Sequence, residues 1–278
     1  MSRIVRTLLT LTMLGLTACD GGVVVPPDPS WFLTWSDEFN GEAGPIDESN
    51  WDFDIGTGEN GWGNGELQFY TDRPENVGLD GEGRLYINLV EENFGGRQFT
   101  SARIKTQDLF TQRYGRMEAR IQLPQGQGVW PAFWMLGADF PEVGWPQTGE
   151  IDIMEFRGQE PDVVHGSLHG PGYSGGNPIT RTYRLPEGQN FVEDFHVFAV
   201  EWDPSRIAFL VDDETYNVVT SGEVGAVGEW VFDDPFFLIL NVALGGTFVG
   251  LPDETTPLPQ SMLVDYVRVF SRQPPDEE

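Results

Sequence analysis

Short stretches in which apolar and polar residues alternate run through the chain. In residues 114–123, Met117, Ala119, Ile121 and Leu123 fall on one side and Arg116, Glu118, Arg120 and Gln122 on the other. This is the period-two pattern of a half-buried β-strand. Residues 84–90 repeat it with Leu85, Ile87 and Leu89 inward. Further strands are predicted over 99–106, 129–136, 149–156, 163–169, 195–202, 207–212, 236–243 and 262–270, with Asp80-Gly81 and Gly95-Gly96 as turn signals. No segment carries a long apolar stripe of helical period, and no internal repeat is visible. Many short strands without helices imply an all-β fold, a jelly-roll sandwich of two antiparallel sheets whose inner faces form the core. One outer face is then expected to be concave and to hold a long ligand.

Composition supports this pattern and adds a constraint. The 278 residues include nine Trp, 34 Gly and 20 Pro, which suits strands joined by turns in one large domain. Acidic residues number 44 against 16 basic ones, for a net charge of −28, and Lys105 is the sole lysine. A field of that sign repels polyanions, which argues against nucleic acid and against sulfated polysaccharide as partners. Solubility and a saline habitat both account for such a surface.

The first residues have the parts of an export signal: Arg3 and Arg6, then an apolar run over 8–16. That run is too short for a permanent membrane span. Leu16-Thr17-Ala18-Cys19 resembles the lipobox of bacterial lipoproteins, whose cysteine is lipidated; the alternative is ordinary cleavage after Ala18. Cys19 is the only cysteine, so no internal disulfide can form. The expected organisation is a leader over 1–18, a Pro-containing tether over 19–30, a folded domain over 31–272 and an acidic tail over 273–278. The product would be an exported monomer, either a cell-surface lipoprotein or a periplasmic or extracellular protein, touching membrane only through a lipid on Cys19.

The most informative segment is Gly149-Glu150-Ile151-Asp152-Ile153-Met154-Glu155-Phe156. Glu150 and Asp152 share a face while Ile151 and Ile153 point to the core. Glu155 is one residue out of phase, and a β-bulge at Ile153-Met154 would return it to the same face. Three carboxylates on one face repel one another, so a purely structural strand would avoid them. Glycoside hydrolysis requires such a set, one carboxylate as nucleophile and another as a proton donor of raised pKa. An exposed acidic strand in an acidic protein is the competing reading.

The same segment resembles the signature of glycoside hydrolase family 16, in its bulge-containing, laminarinase-like branch. Other stretches resemble that branch in order: 35–41 (WSDEFNG), 61–68 (GWGNGELQ), 100–104 (TSARI), 130–136 (WPAFWML), 236–241 (FFLILN) and 264–269 (VDYVRV). The resemblance implies a β-jelly roll and a retaining, endo-acting double displacement on neutral β-1,3-glucan, with mixed 1,3-1,4 glucan also in range. Another galactan hydrolase of the family, such as an agarase, and a glucan-binding protein without catalysis are the alternatives. It assigns Glu150 as nucleophile, Glu155 as general acid/base and Asp152 as the acid that tunes the nucleophile.

Around these, Trp130 and Trp134 share a strand face and suit the apolar faces of pyranose rings; core packing is the alternative. Trp145 is expected to close the cleft from a loop or to plug that loop. Asn64, Glu66 and Arg103 resemble polar cleft residues that bind sugar hydroxyls, Arg103 having an ion pair as its other reading. His169 is expected to hydrogen-bond Glu155 or a sugar hydroxyl. Zinc at His165 and His169 is disfavoured, because four residues of strand separate them too far. His196 is expected to be structural. No cofactor is expected for catalysis. The resemblance implies a structural calcium ion at Glu38, the Gly81 carbonyl and Asp265, all oxygen donors.

Overall fold

The strands of the computed structural model, which describes residues 30–272, pair into two sheets. The leader, Cys19 and the acidic tail therefore lie outside the described residues. The smaller sheet has seven strands in the order Ile179–Arg184, Val163–His169, Glu150–Phe156, Val129–Gly137, Phe236–Leu244, Arg103–Lys105 and Asp52–Phe53. Every pairing in it is antiparallel. The ten-stranded sheet runs Glu214–Thr220, Arg206–Val211, His196–Asp203, Gly115–Gln122, Gln260–Ser271, Leu85–Phe94, Arg97–Ser101 and Phe69–Tyr70, with Phe32–Asp37 and Val77–Leu79 paired alongside. One pair in it, Phe69–Tyr70 with Arg97–Ser101, is parallel.

Alternation within strands builds the core. Met117, Ile121, Phe198, Val200 and Val267 of the larger sheet join Phe133, Met135, Ile151, Phe156, Leu238 and Leu240 of the smaller one in a single buried cluster. Each fully buried side chain of this kind contributes roughly 1.5–3 kcal/mol through burial. Residues in the opposite phase of the smaller sheet point away from this core, and the site is built there.

The predicted strand over 99–106 is two strands. Arg97–Ser101 belongs to the larger sheet and Arg103–Lys105 to the smaller, so the chain changes sheet at the fully buried Ala102. Six strands were not predicted: Phe32–Asp37, Asp52–Phe53, Phe69–Tyr70, Val77–Leu79, Ile179–Arg184 and Glu214–Thr220.

Candidate active site

The strand Glu150–Phe156 carries the bulge its sequence calls for. Asp152 lies opposite Trp134, Met154 opposite Phe133 and Glu155 opposite Ala132, so one extra residue is absorbed between Asp152 and Met154. Ile151, Ile153, Met154 and Phe156 all enter the core. Two consecutive inward residues return Glu155 to the outer face beside Glu150 and Asp152. The other neighbour, Val163–His169, sets His169 opposite Glu150 and His165 opposite Glu155.

Burial lifts the carboxyl groups of Glu150, Asp152 and Glu155 to about 8 each. For both glutamates the charge of Asp152 adds to the push, while His169 opposes it. A hydrogen bond with Glu150 lowers Asp152 in turn. Asp152 is buried while Glu150 and Glu155 keep a partly exposed edge, and acids that raise one another in this way resist ionising together near neutrality. Ser167 Oγ donates to Glu155 Oε2 at 3.2 Å, which fixes that carboxyl on its other side.

His169 is turned toward Asp152 and Glu150 and not toward Glu155, one of its two expected partners. Its Nε2 lies 3.2 Å from Asp152 Oδ2 and 3.6 Å from Glu150 Oε1, because the antiparallel register pairs it with Glu150, and Ser167 holds Glu155 instead. Donor atoms of Glu150, Asp152 and His169 lie within 4.8 Å of one another, a grouping the sequence alone does not foresee. His165 is buried against Phe248, 5.5 Å between ring centroids. Burial and the Arg157 charge hold it down at about 4, so it stays neutral. His196 is bound by Asp212 at 2.7 Å, away from the site.

The tryptophans frame the acids. Trp134 stands across from Asp152, and Trp130 lies close enough to Glu155 to affect its charge. Trp145 is exposed, with its ring 5.9 Å from that of His169. A fourth indole, Trp62, was not anticipated. The Arg103 guanidinium sits 4.8 Å from its ring and 4.6 Å from that of Trp134. Arg103 also pairs with Asp54 at 3.0 Å, so the ion-pair reading describes it. The sequence signal for Trp62 is its place in the 61–68 stretch, where a positive φ of 55° turns it back toward the sheet.

Glu66 is placed behind this frame rather than in the open cleft. Only 5% of it is exposed. Oε1 accepts from Asn64 at 3.1 Å, and Oε2 accepts from Gln68 at 2.6 Å and from Tyr70 at 3.1 Å. Burial raises its pKa, while these donors and the Arg103 charge pull the other way. The sequence marks Glu66 and Asn64 as polar but carries no measure of depth.

The carboxylates assigned to calcium are engaged by arginines. Glu38 forms a two-point pair with Arg268, at 2.9 and 2.7 Å, and Asp265 pairs with Arg120 at 2.7 Å. Gly81 lies in the turn between Val77–Leu79 and Leu85–Phe94, against Ala43. Each carboxylate has a cationic partner, so an ion bound there would compete with Arg268 and Arg120.

A two-sheet β-sandwich with paired glutamates on one bulged strand defines the class, a β-jelly-roll glycoside hydrolase. The sequence pattern of glycosyl hydrolases family 16 matches residues 55–267, and the chain belongs to that family. A β-glucanase of Rhodothermus marinus is 40% identical over 277 residues, covering 96% of this chain and 92% of that protein. The laminarinase catalytic domain of Thermotoga maritima MSB8 superposes with a TM-score of 0.83 at 49% identity, covering 87% of this chain and 98% of that one. The endo-β-1,3-glucanase of Pyrococcus furiosus gives a TM-score of 0.83 at 49% identity, covering 87% and 94%.

Proposed function

We propose that this enzyme cleaves β-1,3-glucan internally with retention of configuration, through Glu150 as nucleophile and Glu155 as general acid/base. The observation that carries the assignment is the bulge that sets both glutamates on one outer face. A raised pKa keeps a proton on Glu155 near neutrality. That proton goes to the glycosidic oxygen as a Glu150 carboxylate oxygen attacks the anomeric carbon, breaking the C–O bond and forming a glycosyl ester. The Glu155 carboxylate then takes a proton from water as that water attacks the same carbon and releases Glu150. His169 lies 3.6 Å from Glu150 Oε1 and Asp152 hydrogen-bonds Glu150, so these two neighbours would stabilise the nucleophile as it ionises.

Substrate choice is supported by the similarity to a laminarinase and an endo-β-1,3-glucanase. The indoles suit neutral sugar rings, and the net charge of −28 disfavours sulfated chains. Mixed 1,3-1,4 glucan is a second substrate of the same site. A galactan hydrolase is less well supported: a keratan-sulfate endo-1,4-β-galactosidase of Sphingobacterium multivorum is 31% identical over 246 residues, against 40% for the β-glucanase. The presence of both glutamates speaks against a non-catalytic binder.

The test is hydrolysis of laminarin, lichenan, agarose and carrageenan, with product sizes and the anomer of the first product followed by NMR. Laminarin cleaved to oligosaccharides with a β-anomer first is the expected result. An α-anomer would overturn retention, and a preference for agarose would overturn the substrate. Azide should restore turnover of an activated glucoside, as the β-azide, in Glu155→Ala and not in Glu150→Ala; the reverse pattern would exchange the two roles.

The lipobox-like run ending in Cys19 supports anchoring of the exported enzyme to a membrane by acyl chains, since stable attachment takes more than one. Cys19→Ser should move activity from the membrane fraction to the soluble one. A wild-type protein that mass spectrometry finds free of lipid in its own host would refute the anchor.

A further inference from the structure

Trp134 is held by a chain of hydrogen bonds that ends on a buried carboxylate. Its indole Nε1–H donates to Asn241 Oδ1 at 2.8 Å, Asn241 Nδ2 donates to Tyr70 Oη at 3.2 Å, and Tyr70 Oη donates to Glu66 Oε2 at 3.1 Å. An indole can only donate and a carboxylate can only accept, so the two ends dictate the sense of every bond between them. Asn241 consequently has one amide orientation that serves both neighbours. Tyr70 is fully buried and Asn241 is 6% exposed, where losing a partner leaves a polar group dry. Asn64 and Gln68 take further sites on Glu66, which leaves that carboxylate little freedom to turn toward a ligand.

We infer that Tyr70 and Asn241 are positioning residues of the glucanase site, acting through the chain Glu66–Tyr70–Asn241 to lock the plane of the Trp134 indole. Trp134 stands across from Asp152, with Arg103 over its ring. A pyranose that stacks there beside the acids meets a plane fixed in advance, and binding does not have to immobilise the ring. Glu66 then acts on the substrate through Trp134 rather than by touching a sugar hydroxyl. Backing the platform also explains why Tyr70 of the larger sheet and Asn241 of the smaller one are buried and polar.

The kinetic consequence rests on the glucan-hydrolase reading, whereas the chain itself can be observed without substrate. The indole N–H resonance of Trp134 is identified by its disappearance in Trp134→Phe. In Tyr70→Phe, which keeps the ring and removes only the hydroxyl, that resonance should move upfield and exchange with solvent at least tenfold faster. KM for laminarin should rise about fivefold, the worth of roughly one net hydrogen bond, with the larger part of the loss in KM rather than kcat. In a Trp134→Phe background the same hydroxyl removal should raise KM less than twofold, because the chain is already cut. Asn241→Leu should reproduce the Tyr70→Phe pattern.

An unchanged Trp134 resonance in folded Tyr70→Phe overturns the inference. Equal effects on KM with and without the indole N–H, or a loss confined to kcat, overturn it as well. A wild type that does not cleave laminarin would refute the substrate reading, and the resonance would still decide the chain.

Discussion

Asp152 carries a conflict between stability and chemistry that a single substitution can expose. It is 4% exposed, and its charge pushes up both Glu150 and Glu155. Its own pKa is raised from 3.8 to about 8 by burial. Between those two values the folded chain binds a proton that the unfolded chain has released, so stability falls as pH rises through the window. Below about pH 4 both states are protonated and the group contributes nothing. Asp152→Asn removes this term. The variant should melt higher than wild type at pH 8, with the gain shrinking on acidification and gone near pH 4. Its Glu155 should also titrate lower, because a repelling neighbour is lost, so the alkaline limb of the activity profile should shift to lower pH and kcat should drop. Melting curves and pH–rate profiles on the two proteins check both parts. A melting difference independent of pH would mean that the acid cluster does not hold the protons assigned to it.

At the scale of the strand, the bulge explains why Glu150 and Glu155 share a face across an odd number of residues. Deleting Met154 leaves Glu150, Asp152 and Glu155 outward and Ile151, Ile153 and Phe156 inward, a regular alternation with no extra residue. The core loses one fully buried side chain, at a cost of roughly 2–5 kcal/mol. The deletion variant should therefore melt well below wild type yet keep retaining hydrolysis per folded molecule, with a β-anomer as first product. Complete loss of activity in a folded variant would show that the bulge sets the separation of the acids and not merely their phase.

The alternation that made this strand legible also explains which strands were not. Strands buried on one face, such as Gly115–Gln122, announce themselves by apolar contrast. Ile179–Arg184 and Glu214–Thr220 are outermost in their sheets and largely exposed, so contrast is weak. Asp52–Phe53 and Phe69–Tyr70 are two residues long and show no period. The crossing at Ala102 was hidden because an apolar residue suits either sheet. Of the site, Glu150, Asp152 and Glu155 were readable because their spacing and chemistry are unusual together. The placement of Glu66 behind the cleft, the pairing of His169 with Asp152, and the Trp62–Arg103–Trp134 stack depend on which strands become neighbours, which no local pattern encodes.

The whole molecule adds a long-range term that no single residue carries. Its few cations are largely committed. Arg116 binds Glu118, Glu201 and Asp213, Lys105 binds Asp54, Arg268 binds Glu38 and Arg120 binds Asp265. The excess of acids behind the net charge of −28 therefore faces water and other acids, and the compact state concentrates that repulsion. Salt shortens the reach of the field from ~30 Å at 0.01 M to ~10 Å at 0.1 M. It also weakens the exposed pairs, but those are worth only about 0–1 kcal/mol each, so relief of the uncompensated charge wins. Raising NaCl from 0.01 to 0.3 M at pH 7.5 should stabilise the fold by on the order of 1–2 kcal/mol, or about 2–8 °C in Tm. Close to pH 4.2, where the chain is near its isoelectric point, net repulsion vanishes and the same salt step should give little gain. Differential scanning calorimetry at the two pH values separates this effect from any general action of salt on apolar burial, which would appear equally at both. A Tm that is flat or falling with salt at pH 7.5 would show that the acidic surface serves solubility without straining the fold.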